Sequence, residues 1–241
     1  MSEIAVTYKG IELDIALAKG YFRMGNEIYT TTHVFHEFYG KHIIYNPIFW
    51  LRVNLSKVLE TNSTKRIRQR CASFSVNFKQ AVITEEVESL YSQYFATISF
   101  DGYPSCKKCI PKLNNEEAVF DTYMIEIRDQ DLLIGVGYFD KGSDALMSVL
   151  HFYHPEYKRF SIGKYLLLLS IDYAKAQQMS YTYPGYIILS NPKMNYKIFP
   201  NKEAIELYLL KENLWDCYLN YTAHDLREYF MKNIAGYDFE D

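Results

Sequence analysis

The chain has 241 residues and 28.4 kDa, 49% hydrophobic and 23% charged, with 23 Tyr and 15 Phe. That is enough to bury a sizeable core as one large domain or two small ones, and it excludes disordered, collagen-like and disulfide-framework chains. At a net charge of -3, any nucleic-acid partner must be held by a local basic patch and not by the overall field.

Glu3 stands where a signal peptide carries positive charge, and no apolar stretch follows it, so a cytoplasmic location is expected. Cys71, Cys106, Cys109 and Cys217 are then thiols or metal ligands before they are disulfides. Leu13 to Ala18 reads as a short helix, Ile43 to Leu55 as extended segments around Pro47, and Ser73 to Phe78 as an alternating strand. Thr84 can cap a helix over about 84 to 98, whose apolar face is Val87, Leu90, Tyr91, Tyr94 and Phe95. A soft boundary falls near Lys112-Leu-Asn-Asn-Glu, dividing the chain into 1–112 and 113–241. Beyond it, Thr122 to Ile127, Leu132 to Phe139 and Ala145 to Tyr153 are β-prone runs separated by polar turns, as in an antiparallel meander. Ser161 can cap a helix holding Ile162, Tyr165, Leu166, Leu169 and Tyr173 on one face until about Gln178. The longest apolar run, Tyr165 to Ile171, is far short of the roughly 20 residues a bilayer span requires, so no membrane partner is expected. A strand over Tyr183 to Leu189 returns after that helix.

Strand, polar loop, helix and neighbouring strand in that order form the core of a GCN5-related acyltransferase. The expected fold is therefore α+β: an N-acetyltransferase-like mixed sheet flanked by helices, with a smaller α+β N-terminal region. More specific is the stretch from Asp140-Lys-Gly-Ser-Asp through Met147-Ser-Val, Phe152-Tyr-His-Pro and Ser161-Ile-Gly, followed by Tyr183-Pro-Gly-Tyr-Ile-Ile and Pro192-Lys-Met-Asn-Tyr-Lys. It resembles the C-terminal half of the arginyl-tRNA-protein transferase family. Leu13-Asp, Arg23-Met-Gly, Asn46-Pro-Ile-Phe-Trp, Lys65-Arg-Ile-Arg-Gln-Arg and Leu90-Tyr-Ser-Gln-Tyr-Phe continue the likeness upstream. The resemblance implies transfer of an amino acid from a charged tRNA to the α-amine of a protein or peptide N-terminus, with no cofactor consumed. It allows arginine or leucine as donor and acceptors beginning in Asp or Glu. Arginine is favoured because the C-terminal match is to arginyl enzymes. The family's N-terminal cysteine cluster has its counterpart at Tyr29-Thr-Thr-Thr-His-Val-Phe-His-Glu-Phe-Tyr, where no cysteine remains, and His154 stands where the family usually carries Asp.

Lys65, Arg66, Arg68 and Arg70 place four cations within six positions, a candidate contact for tRNA phosphates, although charge runs are commonly solvated faces. Ser161 and Lys164 would meet an anion at a helix N-terminus. Tyr153, Tyr183 and Tyr196 are core aromatics or stacking partners for a terminal adenine in a crevice between the two C-terminal strands. Lys193 and Lys197 are the cations expected to meet an acidic acceptor side chain or a terminal phosphate. His154 and Tyr186 are the candidate proton-handling groups, His154 for the amine and Tyr186 for the leaving oxygen. Cys106-Lys-Lys-Cys109 supplies half of a zinc site at most, and it and His33/His36 read as exposed thiols in a turn and ordinary histidines, so no metal is expected. A coenzyme A dependent N-acetyltransferase and a non-catalytic RNA-binding or adaptor protein are the rival readings.

Overall fold

The computed structural model describes residues 7–39, 42–98, 102–113 and 118–234, and for 35–39 and 42–45 the backbone alone. The chain's first six residues, the middle of the boundary segment at 114–117 and the side chain of His36 lie outside this description.

Seventeen regular elements follow in order among the described residues: α1 (Ile11–Ala18), β1 (Phe22–Met24), β2 (Glu27–Tyr29), β3 (His33–Tyr39), β4 (His42–Asn54), α2 (Asn62–Arg70), β5 (Ser75–Gln80), α3 (Glu85–Phe95), α4 (Cys106–Cys109), β6 (Thr122–Asp129), β7 (Leu132–Lys141), β8 (Ala145–Tyr153), α5 (Ile162–Ala176), β9 (Tyr181–Ile188), β10 (Ile205–Leu209), β11 (Leu214–Cys217) and α6 (Ala223–Asn233). The expected meander is β6-β7-β8, and the large sheet runs β11-β10-β4-β9-β8-β7-β6-β5 with β3 paired to β4. Strands from both sides of residue 112 therefore share one sheet.

Period-two alternation sorts the side chains between two faces. On β4, Phe49, Leu51 and Val53 join the cluster beneath α5, whereas Ile48 and Trp50 join Leu13, Leu17 and Phe22 on the opposite side. A third cluster packs α3 against Met124, Val136, Tyr138 and Phe152. This is the mixed sheet flanked by helices that the sequence implied. No helix of the described residues is long and apolar enough to cross a membrane.

Local signals explain most element starts. Thr84 caps α3 by accepting the Val87 N–H, as its sequence position suggested. Ser161 departs from expectation: it occupies the N-cap position of α5 in the left-handed region, at φ 61°, and its side chain makes no capping hydrogen bond. The basic run, read only as charge in the sequence, is a helix because Thr61 and Thr64 form a reciprocal capping box and Ile67 is buried.

One buried ion pair ties the N-terminal elements to the C-terminal half. Arg23 donates to Asp140 Oδ1 at 2.8 Å and to Thr122 Oγ1 at 2.9 Å, and Thr122 donates to the same Asp140 oxygen at 2.6 Å. The guanidinium also lies 4.3 Å from the Phe120 ring centroid. Asp14, on α1, accepts the N–H groups of Ser143 and Asp144 at 3.0 and 2.9 Å. Asp144 in turn accepts the Ser180 N–H and hydroxyl, both at 2.9 Å, which pins β8 to β9 where they begin.

Candidate active site

β8 and β9 form the parallel pair among the named strands, and their register covers Ala145↔Tyr181, Leu146↔Thr182 and Met147↔Tyr183. Pairing then stops, although β8 continues to Tyr153 and β9 to Ile188. Two strands clamped at one end and unpaired beyond it open a wedge in which backbone groups lose their ladder partners. On β9 beyond the last parallel pair, the Tyr186 carbonyl accepts from the Lys197 ammonium at 3.1 Å. Gly185 makes room for this amine: its φ is +96°, and a Cβ there would come within 3.2 Å of Lys197 Nζ.

Lys197 lies 5.0 Å from the Tyr186 ring centroid and 5.9 Å from that of Tyr196. Among the described residues no carboxylate lies within 4.0 Å of its ammonium. Burial holds the amine down to about 8, because a charge removed from water without a counter-ion is disfavoured. Around the opening, Tyr94 of α3 packs on Tyr153 with centroids 5.5 Å apart. Burial and the neighbouring Tyr94 and Tyr153 push the Tyr196 phenol up, while 36% of that residue remains exposed.

The structure thus brings Tyr153, Tyr186, Tyr196 and Lys197 into one region. Tyr183 sits elsewhere: it is 2% exposed on the α1 side, beside Phe22 and Trp215 at 5.9 and 5.5 Å, and burial pushes its phenol up to about 12. His154 starts the short 3-10 turn Pro155–Phe160, accepting the Glu156 N–H on Nδ1 at 3.4 Å, with its ring edge-on to Tyr157. Lys193 is exposed on the turn Pro192–Lys197. Tyr94 and His151 are neighbours of the wedge that the sequence reading did not single out. In the sequence Tyr94 belongs to the apolar stripe of α3, and His151 lies within a β-prone run that gives it no distinguishing mark.

The four clustered cations divide into two kinds. Arg68 is neutralised by a two-pronged pair with Asp172, at 2.5 and 2.7 Å, and Lys65 approaches Glu60 at 3.8 Å. Arg66 and Arg70, one turn apart, line a shallow cleft with Ser63, Ile67, Ser161 and Lys164. Residues assigned separately to tRNA and to an anion at the start of α5 therefore share one cleft, without a carboxylate among its lining side chains.

The cysteine pair corrects another expectation. Cys106 is fully buried, and Glu88 anchors the α4 turn by accepting the N–H groups of Cys106 and Lys107 at 3.0 and 2.8 Å. Burial pushes the Cys106 thiol up to about 12. Among the described residues no group of three or more His, Cys, Asp or Glu is arranged to hold a metal ion.

Residues 85–204, which include both strands of the wedge and Lys197, match the family model described as arginine-tRNA-protein transferase, C terminus. An aspartate/glutamate leucyltransferase of Pseudomonas syringae pv. tomato is 30% identical over 166 residues, covering 65% of this chain and 70% of that protein. The chain belongs to the aminoacyl-tRNA-protein transferase family. Two further aspartate/glutamate leucyltransferases match this transferase-family chain: that of Hahella chejuensis at 27% identity over 63% of the chain, and that of Teredinibacter turnerae at 30% over 61%. The matches span 65% and 61% of those two proteins' own lengths. Among solved structures, L-PGS from Bacillus licheniformis is similar at a TM-score of 0.40 and 9% identity, over 58% of this chain and 48% of that one.

Proposed function

We propose that the protein transfers leucine from leucyl-tRNA to the α-amine of proteins beginning in Asp or Glu. The observation that carries this reading is Lys197, a buried ammonium in the β8–β9 wedge with no acidic partner among the described residues. An acceptor carboxylate supplies the missing counter-charge. Leucine replaces the arginine favoured from sequence because the relatives named above are leucyltransferases.

The reaction is aminolysis of an activated ester. The amine nitrogen bonds to the aminoacyl carbonyl carbon, the bond to the ribose oxygen breaks, and the proton lost by nitrogen ends on that oxygen. An α-amine titrates near 7.7 to 8.0, so a useful share is neutral at physiological pH without a strong base. Holding amine and ester in line supplies most of the acceleration, since effective molarities reach on the order of 10⁵ to 10⁸ M. Tyr94, Tyr153 and Tyr196 offer ring faces on which the terminal adenine stacks.

In this reading the Arg66–Arg70–Lys164 cleft receives tRNA phosphates. Arg66→Ala and Arg70→Ala each weaken tRNA binding and lower the slope of log K against log salt by roughly 0.7 to 0.9. Arg68→Ala leaves that slope nearly unchanged, because Asp172 already occupies its guanidinium. Filter binding from 50 to 300 mM salt separates the two kinds, and an equal slope change for all three variants refutes the division.

The activity itself is tested by offering the protein labelled leucyl-tRNA, arginyl-tRNA or acetyl-CoA together with peptides beginning in Asp, Glu or Ala. Leucine on the Asp and Glu peptides is expected. Label from acetyl-CoA alone would support the acetyltransferase reading, and no labelled product at all the adaptor reading.

A further inference from the structure

His151 stands on β8, four residues beyond the last parallel pair with β9, where the strands have parted. Its Nε2 is sealed from solvent and has no hydrogen-bond partner among the described residues. Space for the ring comes from Gly137 on β7: a Cβ there would meet His151 Cδ2 and Nε2 at 3.1 and 3.2 Å and Leu166 at 3.1 Å. The imidazole is held down to about 4, by burial first and by the Lys197 ammonium second, so it is neutral with one ring nitrogen lone pair available.

Leaving a buried polar atom unpaired is costly, and this region sets one such atom, His151 Nε2, near an ammonium that is bonded to the Tyr186 carbonyl but has no counter-ion. Lys197 lacks an anion, and His151 lacks a donor. A single ligand class satisfies both: an N-terminal acidic residue, which presents an N–H and a carboxylate a few bonds apart.

We propose that His151 is a further catalytic residue, its Nε2 accepting an N–H of the acceptor's α-amine in the β8–β9 wedge while Lys197 holds the acidic side chain. The hydrogen bond leaves the nitrogen lone pair turned toward the ester carbonyl. No proton is transferred to His151. The role rests on the aminoacyl-transfer reading above and adds to it the group that aims the nucleophile.

The test compares wild type, His151→Phe and His151→Gln in single-turnover transfer from saturating leucyl-tRNA to an Asp-initiated peptide, alongside thermal melting. Phe removes the acceptor atom and fills the same apolar niche. It should slow transfer at least tenfold with a melting temperature at or above that of wild type, because an unsatisfied polar group has been removed. Gln keeps a carbonyl acceptor and should recover at least threefold of the lost rate. Equal rates for wild type and the Phe variant would overturn the assignment. So would Phe and Gln variants that are equally slow and equally destabilised, which marks a packing role. A wild-type protein that transfers nothing from leucyl-tRNA would instead remove the activity on which the role rests.

Discussion

Arg23→Met should lower the unfolding free energy by about 3 to 5 kcal/mol, which for a protein of this size is a melting temperature lower by roughly 6 to 20 °C. The cause is what the substitution leaves behind. Asp140 is fully buried, its Oδ2 has no partner among the described residues, and its Oδ1 depends on Arg23 and Thr122. Removing the guanidinium strands a carboxylate in the core. Replacing both partners, as in Arg23→Met with Asp140→Leu, should recover much of the loss, because two apolar groups need no pairing. Thermal denaturation of the single and double variants checks this. Equal melting temperatures for wild type and Arg23→Met would show that the pair does not hold the N-terminal elements to the sheet.

Lys197→Met should act in the opposite sense on stability while lowering transfer tenfold or more, equivalent to roughly 1.4 kcal/mol of transition-state stabilisation. The native amine titrates near 8, against an ordinary value of 10.5, because it is buried without a counter-ion. Between those two values the unfolded chain binds more protons than the folded one, so wild-type stability should rise as pH increases through this window. The Met variant should lack that rise and melt at or above wild type below pH 8. Denaturant titrations from pH 7 to 10 measure it, and parallel pH profiles for the two proteins would contradict the burial of an ammonium without a counter-ion. Binding of an acidic acceptor should return the amine to its charged form. The complex should therefore take up protons near pH 8, visible as buffer-dependent heats.

Much of the frame was legible in the residues. The meander, the α5 crossover and the returning β9 follow from apolar periodicity and polar turns, and the capping of α3 follows from Thr84 and its acidic first turn. Elements whose cause is tertiary were not legible. The short strands β10 and β11 exist by pairing with β4 and with each other, and α2 is concealed by its own charge. The site divides in the same way. Motif residues such as Tyr186, Tyr196 and Lys197 could be named because their segments resemble the transferase family's motifs. Whether an aromatic faces the wedge or the core depends on where β8 and β9 cease to pair, which sent Tyr183 to the core and left Tyr153 at the opening. Nothing in a single strand's pattern marks His151, because its significance lies in a glycine on the next strand and an amine from beyond β9.

The most direct test of Lys197's role is the rate of leucine transfer to a peptide beginning in Asp relative to the same peptide beginning in Asn, in wild type and in Lys197→Met. Wild type should prefer Asp by tenfold or more, and the preference should collapse toward unity in the variant, because the carboxylate's partner is gone. A preference for Asp that persists undiminished without Lys197 would contradict that role.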